Sequence, residues 1–292
     1  MLTEQLKDDF LYCEEIIKKH SKSFYYAFSK LPPEKANAIY AIYAFCRIAD
    51  DYVDESASHE EKFEKISQLQ IELDLFSENQ EVNHPLWRAL RYTFTQFELE
   101  LEPFYDQLKG QFMDLNFTPP KTMTELEVYS YYVAGSVGLM ILPIIATESW
   151  MKLKKSAIDL GIAMQLTNIL RDVGEDYFEN KRVYLPQNLV SVYYSLEDLN
   201  AGIISDSFTQ MWEIIANRAE LLYQQFFASV EKFDHDSQTA VALSAYLYKE
   251  ILDAVRNANY DCLSKKNYVT KEQMDNIDMT FNRSAQLLFE ER

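Results

Sequence analysis

The stretch of sequence that decides the fold spans residues 165–176 and reads QLTNILRDVGED. Its apolar residues recur at the spacing of a helix that is buried on one side. On such a helix Asn168, Asp172 and Asp176 lie on one stripe, at i, i+4 and i+8, with Gln165 one turn earlier. Four oxygen-bearing side chains in a row among leucine and isoleucine do not suit a plain surface helix. The pattern therefore indicates a binding site.

A second acidic cluster occupies residues 50–54 and reads DDYVD, at the end of a helix predicted over residues 34–54. Asp50 and Asp54 share a face of this helix, and their like charges destabilise it. Most charge clusters are solvated helix faces, and taken alone this cluster would be structural. The residues before it look buried, however, and carboxylates at the rim of an apolar wall need a cation.

The oxygen-bearing side chains of the two clusters are hard ligands, which suit magnesium rather than zinc. Neither cluster has the Asp-x-Asp-x-Asp-Gly loop pattern, which excludes an EF-hand. Two such helix faces opposing each other across a pocket would hold several magnesium ions and, between them, a diphosphate. The sequence therefore predicts a magnesium site between two helices.

The composition and charge of the chain narrow its class. Its 292 residues are 48% hydrophobic, which is ample for a sizeable core. The net charge of −18 repels a phosphate backbone, so no nucleic-acid partner is expected. Three cysteines without metal-ligand spacing and a polar N-terminus favour a cytoplasmic location. The longest apolar run, residues 137–146, is shorter than the about 20 residues that span a bilayer, so no transmembrane helix is expected.

Helical periodicity runs along the whole chain, without a repeat, a run of alternating strands or a Gly/Ser-rich linker. The sequence therefore predicts one all-α domain over residues 1–292, a helical bundle around a deep central pocket. Further helices are predicted at about 60–77, 85–100, 103–115, 124–146, 152–178, 206–232 and 237–264. On one of them Ser130, Ala134, Gly135 and Gly138 lie near one face, which indicates either close helix packing or room for a ligand.

Basic and hydroxyl side chains accompany both clusters. Residues 20–24 (HSKSF) fall at a helix junction, where serine hydroxyls, free backbone N–H groups and Lys22 could grip phosphate oxygens. His20 alone is weak support, because a histidine at a helix end is more often a cap. Arg47 and Arg171 each lie within three residues of an aspartate cluster. Each arginine can pair with its neighbouring aspartates, bind an anion, or do both.

These features together resemble the squalene/phytoene synthase family. The resemblance rests on the two aspartate clusters, on residues 20–24, on residues 131–138 between the clusters, and on residues 182–186 (RVYLP) after the second cluster. It runs from about residue 10 to residue 262. Within the family, the chain is most similar to bacterial dehydrosqualene (4,4'-diapophytoene) synthases. The resemblance implies the isoprenoid-synthase type of helical bundle.

The resemblance also implies roles for individual residues. Carried over position by position, it implies magnesium ligands at Asp50, Asp54, Asn168, Asp172 and Asp176. It implies contacts with the diphosphates or prenyl chains from His20, Ser21, Lys22, Ser23, Tyr43, Arg47, Gln165, Arg171 and Tyr248. Catalysis is expected from Arg47, Asp50, Asp54, Arg171, Asp172 and Asp176.

One departure from the family pattern lies after the last long helix. Relatives commonly carry an arginine there, where this chain has the sequence KKNY at residues 265–268. A lysine can neutralise a phosphate but cannot form the bidentate fork of an arginine. The sequence leaves open whether Lys265 or Lys266 takes the place of that arginine.

The reaction implied by the resemblance joins two farnesyl diphosphates head to head. It proceeds through a cyclopropylcarbinyl diphosphate to dehydrosqualene, for carotenoid biosynthesis. Magnesium and basic side chains would neutralise the departing diphosphate, and NADPH is not expected. Tyr43, Tyr131 and Tyr248 are the first candidates for stabilising a carbocation. A phytoene synthase that uses two geranylgeranyl diphosphates and an NADPH-dependent squalene synthase stay open as alternatives.

Three other classes of protein are less compatible with the sequence. A terpene cyclase normally mixes Asn, Ser and Glu in its second motif, where this chain has Asp172 and Asp176. A chain-elongating prenyltransferase lacks the regions at residues 21–23 and 184–186. A catalytically inactive scaffold of the same fold would be expected to lose metal ligands, which are all present here. A peripheral membrane contact for product release and a downstream desaturase are the further partners expected.

Overall fold

A computed structural model describes residues 2–54 and 58–279. These residues form helices and connecting segments with no strand among them, which confirms the all-α prediction. In chain order the α-helices are α1 (Glu4–His20), α2 (Lys22–Phe28), α3 (Pro33–Asp54), α4 (His59–Ser77), α5 (Pro85–Gln96), α6 (Glu102–Leu115), α7 (Met123–Ser130), α8 (Ser136–Ile145), α9 (Trp150–Arg171), α10 (Val173–Phe178), α11 (Gln187–Tyr193), α12 (Leu196–Asn200), α13 (Asp206–Phe227) and α14 (His235–Asn257). Tyr131–Gly135 form a π-helical turn, Val230–Lys232 form a 3-10 turn, and residues 271–279 are helical as well.

Two of the predicted helices are divided in their interior, and a third, predicted over 206–232, ends early at Phe227. The predicted helix 124–146 is interrupted by the π-helical turn, and the predicted helix 152–178 divides at Asp172. The backbone of Asp172 has a φ of −107° and a ψ of 16°, outside the helical region, so α9 ends before it. Hydrogen bonds continue across the break: the N–H of Asp172 donates to the carbonyl of Asn168 at 2.9 Å, and that of Asp176 to the carbonyl of Asp172 at 2.9 Å. The predicted stripe therefore keeps nearly its helical spacing.

The predicted helix 237–264 is too long at its C-terminal end. Helix α14 stops at Asn257, because Asn259 and Tyr260 adopt left-handed backbone conformations with φ of 54° and 59°. These two residues reverse the chain toward α10. The apolar pattern continues through the reversal, which is why periodicity alone did not reveal it.

Helix α9 lies at the centre of the bundle and packs against α8, α13, α14 and the π-helical turn. Its close approach to the preceding helix depends on glycine. A Cβ on Gly138 would lie 2.5 Å from the carbonyl oxygen of Ala157, and one on Gly161 would lie 2.6 Å from the Cα of Gly135. Backbones this close leave no room for a ligand between them. The small residues serve close helix packing, the first of the two explanations that the sequence allowed.

The hydrophobic core connects both helices that end in aspartates. One cluster of buried side chains runs through most of the bundle, from Phe10 in α1 to Leu263 beyond α14, and includes α3 and α9. A smaller cluster joins α2 and α14 to the helix 271–279, through Leu247 and Met274 among others. The two aspartate clusters are therefore attached to one continuous core.

A buried lysine ties three helices together at the far end of α3. The Nζ of Lys35 donates to Asp234 at 2.8 Å, to Asp236 at 2.6 Å and to the hydroxyl of Ser237 at 3.0 Å. Asp234 also accepts a hydrogen bond from the backbone N–H of Thr147 at 3.1 Å. The Lys35 side chain is only 11% exposed. This network fixes the start of α14 and the end of α8 to the start of α3.

One helical segment of the described chain, Met123–Ile145, has the length and apolar composition of a membrane span, with a mean hydropathy of 1.6. It extends beyond the apolar run considered from the sequence, because it includes α7 and the π-helical turn. Half of its most apolar window is buried inside the protein. A buried core helix has the same properties, so the segment is weak support for a span.

Replacing Lys35 by alanine should destabilise the fold strongly. Lys35→Ala leaves a partly buried carboxylate without its cation, and we expect the free energy of unfolding to fall by about 2–4 kcal/mol. Lys18→Ala is the control, because Lys18 also forms two ion pairs, with Glu14 and Glu15, but on the surface. Its loss should cost less than about 1 kcal/mol. Urea unfolding of both variants measures the difference, and equal losses would contradict the structural role of Lys35.

Candidate functional site

The first acidic cluster lies at the C-terminal end of α3, where the helix dipole is negative. Asp50 is largely buried there and accepts hydrogen bonds from the side-chain amides of Gln111 at 2.6 Å and Gln107 at 3.4 Å, both on α6. It forms no ion pair with a lysine or arginine of the described chain. The Asp54 side chain is 53% exposed and lies 3.4 Å from Nη1 of Arg182. Amides of α6 thus hold Asp50, and Arg182, which lies far along the chain, contacts Asp54.

Arg47 lies one turn before the first cluster. It forms an ion pair with Asp51, the first of the two roles that the sequence allowed. Its Nε is buried and has no hydrogen-bond partner among the described residues. This N–H is therefore a charged donor that can bind an anion, which is the second role that the sequence allowed. His20 lies close enough to Arg47 to feel its charge. Burial, followed by this charge, lowers the pKa of the His20 imidazole.

The second cluster lies at the junction of α9 and α10. Arg171 forms a bidentate pair with Asp172, through Nε at 2.7 Å and Nη2 at 2.5 Å. Asn168 donates to the Oε1 of Gln165 at 3.3 Å, whereas its own Oδ1 is buried without a hydrogen-bond partner in the described chain. Asp176 accepts one long hydrogen bond, of 3.5 Å, from an exposed asparagine. The structure therefore brings the predicted stripe together at this junction.

An arginine, two tyrosines and a buried aspartate connect the two clusters. Besides its contact with the first cluster, Arg182 lies 3.3 Å from the hydroxyl of Tyr184. Tyr184 and Tyr129 both donate to the carboxylate of Asp114, at 2.8 Å and 2.9 Å. The two tyrosine rings stack with their centroids 5.1 Å apart. This bridge joins the segment after α10 to α6 and to the end of α3.

The sequence analysis missed Asp114 and Tyr129, and it gave Arg182 no role in the site. A signal for Asp114 exists in the predicted helix 103–115, where Gln107, Gln111 and Asp114 form a polar stripe at i, i+4 and i+7. No comparable signal distinguishes Tyr129, because tyrosines are frequent in this chain. Only its contact with Asp114 places it at the site.

Tyr131, the third tyrosine considered for carbocation stabilisation, has an acidic and an aromatic neighbour, and its role remains a prediction. Its hydroxyl donates to Asp106 at 2.5 Å, and its ring packs edge-on against Tyr132 with centroids 5.2 Å apart. Neither neighbour belongs to an aspartate cluster. Tyr129, two residues earlier in the chain, is the tyrosine of this region that contacts the site.

Several carboxyl groups of the site hold their protons more tightly than an ordinary aspartate. Burial, followed by the charge of Asp54, raises the pKa of Asp50 to about 7. Burial, followed by the charge of Asp172, raises the pKa of Asp176 to about 7. Burial also raises the pKa of Asp114 to about 6. The charge of Asp114 in turn contributes to the raised pKa values of Asp50 and Asp176. The site thus carries more negative charge than its arginines neutralise.

An aromatic wall extends from one cluster to the other. Phe24 in α2 stacks on Tyr248 with ring centroids 4.8 Å apart, and meets Tyr43 edge-on at 6.5 Å. Burial raises the pKa of both tyrosines. The charge of Arg171 acts on Tyr248 and opposes this rise in its pKa. Two of the predicted substrate-contacting tyrosines therefore line one apolar surface between the clusters.

The serines at the start of α2 have structural partners. Ser21 caps the helix by accepting a hydrogen bond from the backbone N–H of Phe24 at 3.4 Å. The Oγ of Ser23 lies 4.0 Å from the sulfur of Met274. Lys22 is exposed. Phosphate binding by these side chains remains a prediction.

The structure distinguishes the two lysines that the sequence left open. The Nζ of Lys266 lies 2.7 Å from Glu175 and 3.5 Å from Asp172. Lys265 instead lies 4.0 Å from Asp261. Lys266 is therefore the lysine at the second cluster.

Two clefts adjoin the second cluster. An open cleft of about 650 Å³ is lined by Arg171, Asp172 and Lys266 among other residues. A smaller one, of about 200 Å³, lies beside Asp176 and Arg182. Neither cleft is lined by residues of both clusters. The deep central pocket that the sequence predicts therefore remains a prediction.

The donors at the site suit a hard divalent cation, although no three acidic, histidine or cysteine side chains of the described chain form a closed metal cage. The available ligands are carboxylate and amide oxygens, the type that magnesium prefers. The Oδ1 of Asn168 is buried without a donor. Asp50 and Asp176 have no ion-pair partner among the described lysines and arginines. A cation would satisfy all three groups, so the residues fit magnesium, which itself remains a prediction.

Comparison with known proteins gives consistent matches along the chain. A family model described as squalene/phytoene synthase matches residues 17–273. The chain is 36% identical to the 15-cis-phytoene synthase of Synechococcus elongatus, over 88% of this chain and 87% of that protein. It is 34% identical to the 4,4'-diapophytoene synthase of Staphylococcus haemolyticus, over 91% of this chain and 93% of that protein.

Similarity to a solved structure covers almost the same span. The crystal structure of a dehydrosqualene synthase in complex with ligand is 40% identical to this chain and superposes on it with a TM-score of 0.91. The match covers 97% of this chain and 98% of that one. Sequence and fold therefore agree over nearly the whole protein.

The raised pKa of Asp176 predicts how the stability of the metal-free protein depends on pH. The pKa rises from 3.8 to about 7 on folding, so folding takes up a proton between these values. Proton uptake by Asp176 therefore stabilises the folded state. This stabilisation is fully present below about pH 4 and is lost as the pH rises through about 7. In chelator, the free energy of unfolding of Asp176→Asn should therefore fall less steeply with pH than that of the wild type.

Glu81→Gln is the control for this measurement. Its hydrogen bonds with Arg91 lower the pKa of Glu81, which moves the titration of Glu81 further away from that of Asp176. Between pH 5 and 7, the free energy of unfolding of Glu81→Gln, measured with urea, should change with pH as steeply as that of the wild type. A wild-type slope for Asp176→Asn in the same range would contradict the prediction.

Proposed function

The chain belongs to the squalene/phytoene synthase family, and we propose that it condenses two farnesyl diphosphates head to head to dehydrosqualene. Members of this family are prenyltransferase-type enzymes that act on isoprenoid diphosphates and serve isoprenoid and carotenoid biosynthesis. The proposal for this chain specifies the substrate length, the product and a dependence on magnesium.

The observation that carries the proposal is the pairing of two acidic helix ends across a short bridge. Each end has its own arginine, Arg47 or Arg171, and Arg182 reaches from the second segment to the first cluster. Carboxylates gathered in this way repel each other unless cations lie between them. A diphosphate held by such cations satisfies both sets of charges.

The arginines of the site would bind the diphosphate oxygens directly. The buried Nε of Arg47 has no partner among residues 2–54 and 58–279, and this charged N–H is suited to binding an anion. Arg171 is held flat against Asp172 by two hydrogen bonds, which fixes the plane of its guanidinium. Lys266 adds a point charge at the mouth of the same cleft. Preorganised charges of this kind stabilise a departing anion without reorganisation.

Asp50, Asp54, Asn168, Asp172 and Asp176 would hold the magnesium ions. Bound magnesium neutralises the charge that develops on diphosphate as it leaves. The raised pKa values of Asp50 and Asp176 mean that both carboxylates bind protons near neutral pH when no ion is present. Magnesium binding is therefore expected to release protons.

The aromatic wall would protect the carbocation that remains after diphosphate departs. Phe24, Tyr43 and Tyr248 form one group of aromatic rings, and such rings attract positive charge. A buried apolar surface also excludes water, which would otherwise capture the cation. The cation would then be attacked by the double bond of the second substrate, and loss of a proton would close the ring of a cyclopropylcarbinyl diphosphate. Departure of the second diphosphate, rearrangement and loss of another proton would give dehydrosqualene.

The choice of dehydrosqualene rests on similarity, and a second candidate is supported nearly as well. The solved dehydrosqualene synthase resembles this chain over nearly its full length. The phytoene synthase of Synechococcus elongatus is, however, about as similar to the chain as the 4,4'-diapophytoene synthase of Staphylococcus haemolyticus. Phytoene synthesis from two geranylgeranyl diphosphates is therefore the second candidate function.

Removing the Asn168 amide should weaken magnesium binding while leaving the fold intact. Its Oδ1 has no other partner in the described chain, so Asn168→Ala removes a ligand at the cost of one long hydrogen bond, the 3.3 Å contact with Gln165. We expect the magnesium concentration for half-maximal diphosphate release to rise by about 10–100-fold. Asn116→Ala is the control, because this exposed asparagine contacts only a backbone carbonyl of α6. An unchanged magnesium midpoint in Asn168→Ala would exclude Asn168 as a ligand.

The product identifies the reaction. Purified protein is given magnesium with farnesyl or geranylgeranyl diphosphate, with and without NADPH, and the lipid product is analysed by mass and ultraviolet spectrum. We expect a thirty-carbon conjugated triene from farnesyl diphosphate, unaffected by NADPH and abolished by chelator.

Each other result points to a named alternative. A forty-carbon triene from geranylgeranyl diphosphate would establish phytoene synthesis. Squalene formed only with NADPH would establish a squalene synthase. Folded protein that forms no hydrocarbon would refute the catalytic proposal.

A further inference from the structure

The backbone after α14 lies directly on a glycine between two of the proposed metal ligands. The N–H of Gly174 donates to the carbonyl of Cys262 at 2.9 Å. A Cβ at position 174 would overlap the carbonyl oxygen of Leu263 and lie 2.6 Å from its carbonyl carbon. Both obstacles are backbone atoms, so no side-chain rotation can relieve the overlap. Only glycine fits this contact.

Gly174 lies in the first turn of α10, two residues from Asp172 and two from Asp176. The break at Asp172 interrupts the regular helical backbone, so α9 alone does not fix the direction of α10. Its direction is therefore set by what packs on its first turn. That contact is the backbone of Cys262 and Leu263. The position of Asp176 relative to the ligands of α9 thus depends on the contact at Gly174.

The segment that presses on Gly174 is anchored independently of α10. Tyr260, in the left-handed reversal after α14, donates to Glu213 at 2.8 Å and packs edge-on against Trp212 with ring centroids 5.2 Å apart. Arg256 forms a bidentate pair with the same glutamate, at 2.8 Å and 2.9 Å. Trp212 in turn donates to the carbonyl of Leu170, at the end of α9, at 3.0 Å. The reversal is therefore fixed to α13 and to α9 at once.

The same segment then contacts the second cluster directly. Lys266 pairs with Glu175 and lies 3.5 Å from Asp172. The chain continues into the helix 271–279, which packs on α2 through Met274. Residues 258–279 thus connect α13, α10 and α2.

We propose that Gly174 is a positioning residue, whose missing side chain lets the backbone of Cys262 and Leu263 hold α10 in the direction that aligns Asp176 with Asn168 and Asp172 for ion binding. The proposal rests on the proposed function, because it requires the second cluster to bind magnesium. A Cβ at this position pushes α10 away from the anchored segment. Asp176 then moves out of alignment, while the core of the bundle is untouched.

Gly174→Ala tests the proposal, with Gly138→Ala as the matched control. Both substitutions place a methyl group against a backbone carbonyl oxygen, but Gly138 lies in the packing between α8 and α9. Thermal unfolding is followed while magnesium is titrated in the presence of inorganic diphosphate. For Gly174→Ala, we expect the magnesium midpoint of the rise in Tm to increase about 10-fold or more. For Gly138→Ala, we expect a lower Tm at every magnesium concentration and a wild-type midpoint.

A second variant keeps the test decisive if Gly174→Ala fails to fold. Tyr260→Phe removes the hydrogen bond to Glu213 but keeps the ring on Trp212, so the fold should survive with a looser reversal. Its magnesium midpoint should rise by about 2–5-fold, in the range of a lost hydrogen bond. Unchanged midpoints in the folded variants, or equal shifts in Gly174→Ala and Gly138→Ala, would overturn the positioning role alone. Wild-type protein whose Tm does not respond to magnesium and diphosphate would overturn the proposed metal site as well.

Discussion

The structure depends on the repulsion between carboxylates that two buried helices bring together at their ends. Gathering negative charge in a partly buried region is costly unless cations or hydrogen bonds compensate for it. Arg47, Arg171 and Arg182 compensate part of this charge, and side-chain amides of α6 compensate a little more. Asp50 and Asp176 have no ion pair within the described part of the chain and retain protons to about pH 7. The site is therefore incomplete as a set of protein groups, and added cations are the natural complement.

The rest of the bundle holds this arrangement in place. Helices α3 and α9 belong to one continuous core, so their ends cannot move apart without disrupting it. Glycines at the contact of α8 and α9 bring the central backbones close together, and Lys35 fixes the opposite end of α3. Stability is thus concentrated away from the acidic ends. Such a division is expected where a functional site is itself unfavourable for folding.

Charge and apolar surface meet at one place in this site. The aromatic wall around Phe24 begins at Arg47 and ends at Arg171, so an anionic head and a hydrocarbon chain can be bound side by side. This combination matches isoprenoid diphosphates, the substrates of the family. The length of the hydrocarbon that fits is a separate property, because it depends on the depth of the pocket beyond the wall.

The sequence by itself determined the helical class and the two acidic stripes with their oxygen-bearing side chains, because periodicity and side-chain chemistry are local properties of the chain. The resemblance carried by these stripes gave the family. Tertiary structure alone decided that Asp114 bridges the clusters, that Lys266 rather than Lys265 reaches the second cluster, and that α10 is separated from α9. It also decided that the small residues of α8 serve packing. Each of these features depends on residues far apart in the chain, whose contacts no local pattern records.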